Sequence, residues 1–192
     1  MGRLEGKKAI VTGAGAGIGE SISVFFAREG ASVICIDLNG DTANDTAAQI
    51  NDAGGTAIAV EADVADEQTF VDAVEMAKTE FGGLTTLVSN AIYDLPYVPI
   101  TEIPTEGWMR TMDVNLNATY FFCKHAIPVI ADSGGGSIIL VASQLGQVAR
   151  PGRPWYCAQK GGMINLARAL ALDHAKQNIR VNSLSPGPVE TG

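Results

Sequence analysis

"KKAIVTGAGAGIGE", residues 7–20, decides how the rest of the chain is read. Residues 8–12 form a short run rich in apolar side chains, as a strand buried on both faces of a sheet requires. "VTGAGAGIGE", residues 11–20, then turns on glycine and opens a helical pattern. A strict G-x-G-x-x-G does not fit, because its last position falls on Ile18 counted from Gly13 and on Glu20 counted from Gly15. The spacing that fits is Gly13-x-x-x-Gly17-x-Gly19, a longer turn whose glycines let backbone approach an anion closely. The helix start behind it, at Ile18 and Gly19, offers unpaired N–H groups and the positive end of a helix dipole. Strand, glycine turn and helix in this order point to a bound pyrophosphate.

Outward from this unit the pattern repeats. Further strand candidates lie at 32–37, 57–61, 84–89, 137–142 and 180–184, each nearly continuous in hydrophobic residues. Helical segments lie between them, two of the longest at 105–132 and 155–176, and several close on glycine. Asp41, Asp66 and Thr105 are the expected N-caps. Six strands alternating with five helices imply right-handed βαβ units. The expected fold is therefore α/β, a doubly wound parallel sheet of Rossmann type with helices on both faces. No repeat or linker divides residues 1–192, which read as a single domain. The connection 91–104 carries three prolines and follows the C-terminal end of a strand. That edge of an open α/β sheet is where ligands bind.

Composition narrows the function. Of 192 residues 46% are hydrophobic and 18% charged, enough for a substantial core. A net charge of −8 without any basic stripe argues against nucleic acid, whose phosphates demand clustered Lys and Arg. Only two histidines, His125 and His174, make a histidine metal site unexpected. Cys35, Cys123 and Cys157 form no CxxC pair, which suits a reducing compartment. With no signal peptide expected at the N-terminus and no run long enough to span a membrane, the reading is a soluble, cytoplasmic protein without membrane or nucleic-acid partners.

Two further features carry chemistry. Asp37 ends the second strand about twenty residues beyond the glycine turn, where a carboxylate accepts hydrogen bonds from a ribose 2′-OH. Leu38, Asn39 and Ala16 supply no cation there to neutralise a 2′-phosphate, so the reading is NAD rather than NADP. In "RPWYCAQKGGMINLARALALDHA", residues 153–175, Tyr156 and Lys160 stand four apart, on one face of a helix.

Taken together, the strand with Gly13-x-x-x-Gly17-x-Gly19 and Tyr156-x-x-x-Lys160 resemble the short-chain dehydrogenase/reductase family, in its short single-domain branch. The resemblance covers essentially the whole chain. Thr12 begins the family's T-G-x-x-x-G-x-G, and Asp63-Val64 matches the acidic position near the adenine. Ser89-Asn90-Ala91-Ile92 is similar to N-N-A-G, with Ser89 and Ile92 as departures. Asn115 in "MDVNLNATYFF" and Ser143, thirteen residues before Tyr156, match the catalytic asparagine and serine. "SPGPVET" places Pro186, Gly187, Val189 and Thr191 on the stretch that holds the nicotinamide carboxamide.

The resemblance implies hydride transfer between a nicotinamide cofactor and a secondary alcohol or its ketone. A free tyrosine, with a reference pKa of about 10, is a poor base near neutrality, and an ammonium one helical turn away favours the phenolate. By resemblance Tyr156 is the acid–base group, Lys160 also bonds the nicotinamide ribose, Ser143 orients the substrate oxygen, and Asn115 holds a water in the proton relay. The substrate is expected between segments 92–104 and 144–155 and the chain beyond Thr191, lined by residues such as Tyr93, Tyr97, Arg150, Arg153 and Trp155. A medium-sized, partly apolar alcohol or ketone fits. The helices 105–132 and 155–176 are those that pair between subunits in the family, so a homo-oligomer, dimer or tetramer, is expected. Family members continue past the position of Gly192 with a substrate-covering segment and a further strand, so the chain is expected to lack both and to be truncated. Two alternatives stay open: an acyl-carrier-protein ketoreductase, whose NADP preference suits Asp37 poorly, and a non-catalytic NAD-binding protein.

Overall fold

The computed structural model describes residues 2–189. β1 (Lys8–Thr12) leads through the glycine turn into α1 (Gly17–Arg28), followed by β2 (Ser32–Asp37), α2 (Gly40–Asp52), β3 (Thr56–Glu61) and α3 (Glu67–Phe81). The second half comprises β4 (Thr86–Ser89), α4 (Thr105–Met112), α5 (Ala118–Asp132), β5 (Gly136–Val141), α6 (Pro154–His174) and β6 (Ile179–Leu184). The strands form one parallel sheet in the order β3-β2-β1-β4-β5-β6. This is the doubly wound sheet expected from the sequence. Its direction of winding reverses between β1 and β4, which opens a crevice at the C-terminal ends of those strands.

Strand side chains alternate between two cores, as the period of two dictates. Ile10, Ile34, Ile36, Leu87, Ile138 and Leu140 pack with Phe70, Phe122, Ile130 and Met163 of α3, α5 and α6. The Phe70 and Phe122 rings stack there, 4.6 Å between centroids. Ala9, Val11, Val33, Cys35, Val88 and Val141 face the other way, toward Ala27 of α1 and Ala47 and Ile50 of α2. Burial pushes the Cys35 thiol up to about 11 and the Cys123 thiol to about 12, so both act as small apolar fillers.

Three local expectations are corrected. The segment 105–132 is not one regular α-helix. It widens at Asp113–Asn117 into a π turn, a distortion that often accompanies functional positions. The N-cap of α2 is Asn39, whose Oδ1 accepts from Asp41 N at 3.0 Å and Thr42 N at 3.3 Å, while Asp66 caps α3 as expected. Pro104 precedes α4, so Thr105 is its first helical residue and makes no capping bond.

Candidate active site

The glycine turn is held by the end of β4. Thr12 Oγ1 accepts from the N–H groups of Asn90 (3.0 Å) and Ala91 (3.1 Å). Asn90 Nδ2 donates back to the carbonyls of Thr12 (3.0 Å) and Gly13 (3.2 Å). Gly13 has φ +64°, and a Cβ on it would meet Ala91 Cα and Asn90 Nδ2, each at 2.9 Å. A Cβ on Gly19 would lie 1.9 Å from the Gly13 carbonyl oxygen, so the first turn of α1 packs directly beneath the loop. Asp37 closes the arrangement: its Oδ2 accepts from Gly15 N at 2.8 Å and its Oδ1 from Asn39 N at 3.0 Å.

Above this loop lies a cavity of about 410 Å³. Gly13, Gly17, Ile18, Asp37, Asp63, Val64 and Asn90 line it, together with Leu38, Tyr93 and Arg110. Asp63 accepts from Ala65 N at 2.9 Å and from Arg110 Nη2 at 2.7 Å. Burial works against its charge, but the Ala65 N–H and the Arg110 guanidinium outweigh burial and hold the carboxyl below the usual carboxylate range. Nothing in the sequence pairs Arg110 with Asp63, since they lie on α4 and after β3.

A second cavity, of about 200 Å³, adjoins the first and shares Ile18, Asn90 and Ile92 with it. Ser143, Tyr156, Lys160, Pro186, Gly187 and Val189 line it. Ser143, Tyr156 and Lys160, the candidate catalytic side chains, are thus brought to one place from the turn after β5 and from α6. Ser143 Oγ accepts from Leu145 N at 3.1 Å, which leaves the O–H proton to donate elsewhere. The chain after β6 is fixed to the same turn, where Gln144 N donates to the Pro186 carbonyl at 3.0 Å. Thr191 lies outside the described residues.

Lys160 is 2% exposed, and its Nζ donates to the Val141 carbonyl at 2.6 Å. Burial lowers its pKa to about 8. The ammonium stands 5.6 Å from the centre of the Tyr156 ring. Asn115 sits behind the cavities rather than in their lining. Its Oδ1 accepts from Tyr93 N at 2.7 Å, and its Nδ2 donates to Tyr93 O and Gln159 Oε1, both at 2.9 Å. Both amide N–H groups are therefore engaged by protein, and the side chain clamps the loop after β4.

A family model described as short chain dehydrogenase matches residues 7–192. The chain belongs to this family. Among its relatives, cyclohexanol dehydrogenase of an Acinetobacter species is 36% identical over 98% of this chain and 75% of the relative. The 2,5-dichloro-2,5-cyclohexadiene-1,4-diol dehydrogenase of Sphingobium indicum is 38% identical over 98% and 75%. Carveol dehydrogenase from Mycobacterium avium, solved in complex with NAD, superposes with a TM-score of 0.93 at 31% identity, covering 97% of this chain and 72% of that one. This short chain dehydrogenase is a nicotinamide-dependent oxidoreductase of secondary alcohols and their ketones.

Two further residues of the dehydrogenase are not apparent from the sequence. Gln159, 1% exposed, links Asn115 to Thr111, donating from Nε2 to Thr111 Oγ1 at 2.7 Å. Its position beside Lys160 is visible in the sequence, but its partners on the helix 44 and 48 residues earlier are not. Gly146 lets the turn carrying Ser143 close onto α6, for a Cβ there would lie 2.6 Å from the Lys160 carbonyl. Gly161 and Gly162, by contrast, have no neighbour nearer than 3.4 Å to an added Cβ. Among the described residues no helix is long and apolar enough to cross a membrane.

Proposed function

We propose that this dehydrogenase uses NAD to interconvert a six-membered cyclic secondary alcohol and its ketone, with Tyr156 as the acid–base group. The observation that carries the reading is the joining of two cavities, one built on the glycine turn and Asp37, the other lined by Ser143, Tyr156 and Lys160. The donor set suits a dinucleotide. Gly13, Gly17, Ile18 and Gly19 would take the pyrophosphate, Asp37 the adenosine ribose, and Asp63 and Val64 the adenine. Asn90, Lys160, Pro186, Gly187, Val189 and Thr191 would hold the nicotinamide half. Asp37 favours NAD because a 2′-phosphate at that place would meet like charge. Arg110, the cation of that cavity, is already paired with Asp63.

What the cofactor supplies is a hydride acceptor for the alcohol carbon. In oxidation the Tyr156 phenolate takes the hydroxyl proton as hydride leaves the same carbon, and in reduction the phenol returns it. The Ser143 O–H donates to the substrate oxygen and orients it. The Lys160 ammonium, 5.6 Å from the Tyr156 ring centre, would also bond the nicotinamide ribose. Asn115 fixes the loop at Tyr93, and so the wall of the substrate space. The choice of a cyclic alcohol is supported by the cyclohexane and cyclohexadiene rings in the names of two relatives, and by Ile92, Leu95 and Tyr97 on the adjoining loop.

Exposed Tyr120 on α5 and Leu172 on α6 support pairing of these helices in a homo-oligomer. Three unbridged cysteines support a cytoplasmic setting. Parallel fluorescence titrations with NADH and NADPH, with cyclohexanol turnover by wild type and Tyr156→Phe, test the reading. NADH should bind at least about tenfold tighter, and Tyr156→Phe should keep NADH affinity while losing turnover by about 10²-fold or more. Preference for NADPH would overturn the role of Asp37, and surviving turnover would overturn that of Tyr156.

A further inference from the structure

Cations and rings alternate from the loop after β4 to the cavity lined by Tyr156 and Lys160. The Arg150 guanidinium lies 5.1 Å from the Tyr97 ring centre, and Arg153 lies 4.3 Å from the same ring. Arg153 is also 4.7 Å from the Tyr156 ring, which has Lys160 Nζ at 5.6 Å. Arg153 is the middle member of this series, and its side chain is only 12% exposed. It reaches the loop after β4 a second way, through an ion pair in which its Nη2 donates to both oxygens of Asp94, 2.6 Å to Oδ1. Backbone joins the same two segments where Val98 N donates to the Gly152 carbonyl at 3.1 Å. Gly152 has φ +76°, and a Cβ there would press on Tyr97 at 3.2 Å.

Arg153 immediately precedes α6 and stands three residues before Tyr156. Its planar guanidinium can stack on a ring with one face while pairing at its edge, which a lysine ammonium cannot. We propose that Arg153 is a positioning residue: it fastens the substrate loop, through Asp94 and Tyr97, to the catalytic Tyr156 ring, so that loop placement and phenol orientation are set together. The inference rests on the reading of Tyr156 as the acid–base group. Asn115 anchors the loop at Tyr93, and Arg153 anchors it at the adjoining Asp94 and at Tyr97. Loss of the Arg153 anchor loosens the loop around Asp94 and Tyr97 and unsupports the phenol, while the glycine-turn cavity, which Arg153 does not line, stays intact.

Arg153→Leu and Arg153→Lys in the 192-residue chain test this. Turnover is followed with cyclohexanol and NAD, binding by NADH fluorescence, and loop attachment by limited chymotrypsin digestion. Tyr93 and Tyr97 are the cleavage sites mapped by mass spectrometry, being 41% and 54% exposed. Arg153→Leu should lower kcat at saturating alcohol by about tenfold or more while NADH Kd stays within about twofold, since a misplaced reacting group costs rate rather than cofactor affinity. It should also speed cleavage at Tyr93 and Tyr97 by about fivefold or more. Arg153→Lys, which keeps a cation beside Asp94 but cannot also stack on Tyr97, should bring cleavage and kcat only part of the way back to wild type. Turnover of Arg153→Leu within about twofold of wild type, or cleavage no faster, would overturn the proposal. A wild-type chain that turns over no cyclohexanol would count against the proposed function instead, and the cleavage rates, which need no substrate, would then decide the inference.

Discussion

Lys160 sets up a measurable conflict between charge and burial. Its ammonium is 2% exposed, and burial lowers its pKa from the ordinary 10.5 to about 8. At neutral pH the group still carries its proton in the folded chain, at a cost that the gap between those values puts at about 3 kcal/mol. The sign comes from proton counts. Below pH 8 folded and unfolded chains both hold the proton, so the cost is fully present. Between 8 and 10.5 the unfolded chain still holds it and the folded chain does not, so stability rises with pH and the cost is relieved.

Lys160→Met removes the charge and keeps the length. The thioether of Met163, 3.6 Å from Nζ, shows that sulfur already packs against this spot. The variant loses the bond to the Val141 carbonyl, worth about 1.5–3 kcal/mol for a charged donor, at every pH where the ammonium exists. Urea unfolding of both chains from about pH 7 to 11 gives the difference in stability, in which all other titrating groups cancel. That difference should move by about 3 kcal/mol in favour of the wild type across the window from about 8 to 10.5, and be flat below it. Parallel curves through that window would refute the buried-charge argument and mean that water reaches Nζ.

Two other changes probe the supports. Gly19→Ala places a Cβ 1.9 Å from the Gly13 oxygen and 2.7 Å from Asn90 Nδ2; the turn must shift, and NADH Kd should rise by about tenfold or more in a fluorescence titration. Gln159→Leu leaves an Asn115 N–H buried without an acceptor, which should lower stability by about 1–3 kcal/mol in urea unfolding and reduce kcat/KM through a looser Tyr93.

The fold is legible in the sequence because the inner strands β1, β2 and β4 are buried on both faces and read as nearly unbroken apolar runs. The edge strand β6, by contrast, alternates buried and exposed residues and is the weakest of the runs. The candidate site is legible where its residues lie close in sequence: Gly13 to Gly19, Tyr156 with Lys160, Pro186 to Val189. Contacts made only in three dimensions are not. Arg110 meets Asp63 from an element 47 residues away, and Arg153 meets Asp94 across 59. The π turn is hidden for the same reason, because residues 105–132 keep a helical pattern throughout. Asn115 and Gln159 meet at that widened turn. Asn39 displaces Asp41 as the cap of α2 because both have capping side chains and only the backbone path chooses between them.

What these hidden contacts share is that they hold polar groups before any ligand arrives. Asp37 is bonded to the Gly15 N–H, Ser143 to the Leu145 N–H, Lys160 to the Val141 carbonyl and Asn115 to both polar atoms of the Tyr93 backbone. Each of these groups is therefore oriented by a fixed backbone atom rather than by a flexible neighbour. A site built this way needs little reorganisation as charge develops on the substrate oxygen, which is where fixed dipoles contribute most to rate. The same construction makes the site sensitive at a distance. On the proposed mechanism, a change at Gln159 or Arg153 would release a group whose direction that chemistry depends on, Asn115 in one case and Tyr156 in the other. Losses at such positions should accordingly fall on kcat, with cofactor affinity kept, because the glycine turn draws its own rigidity from Thr12 and Asn90.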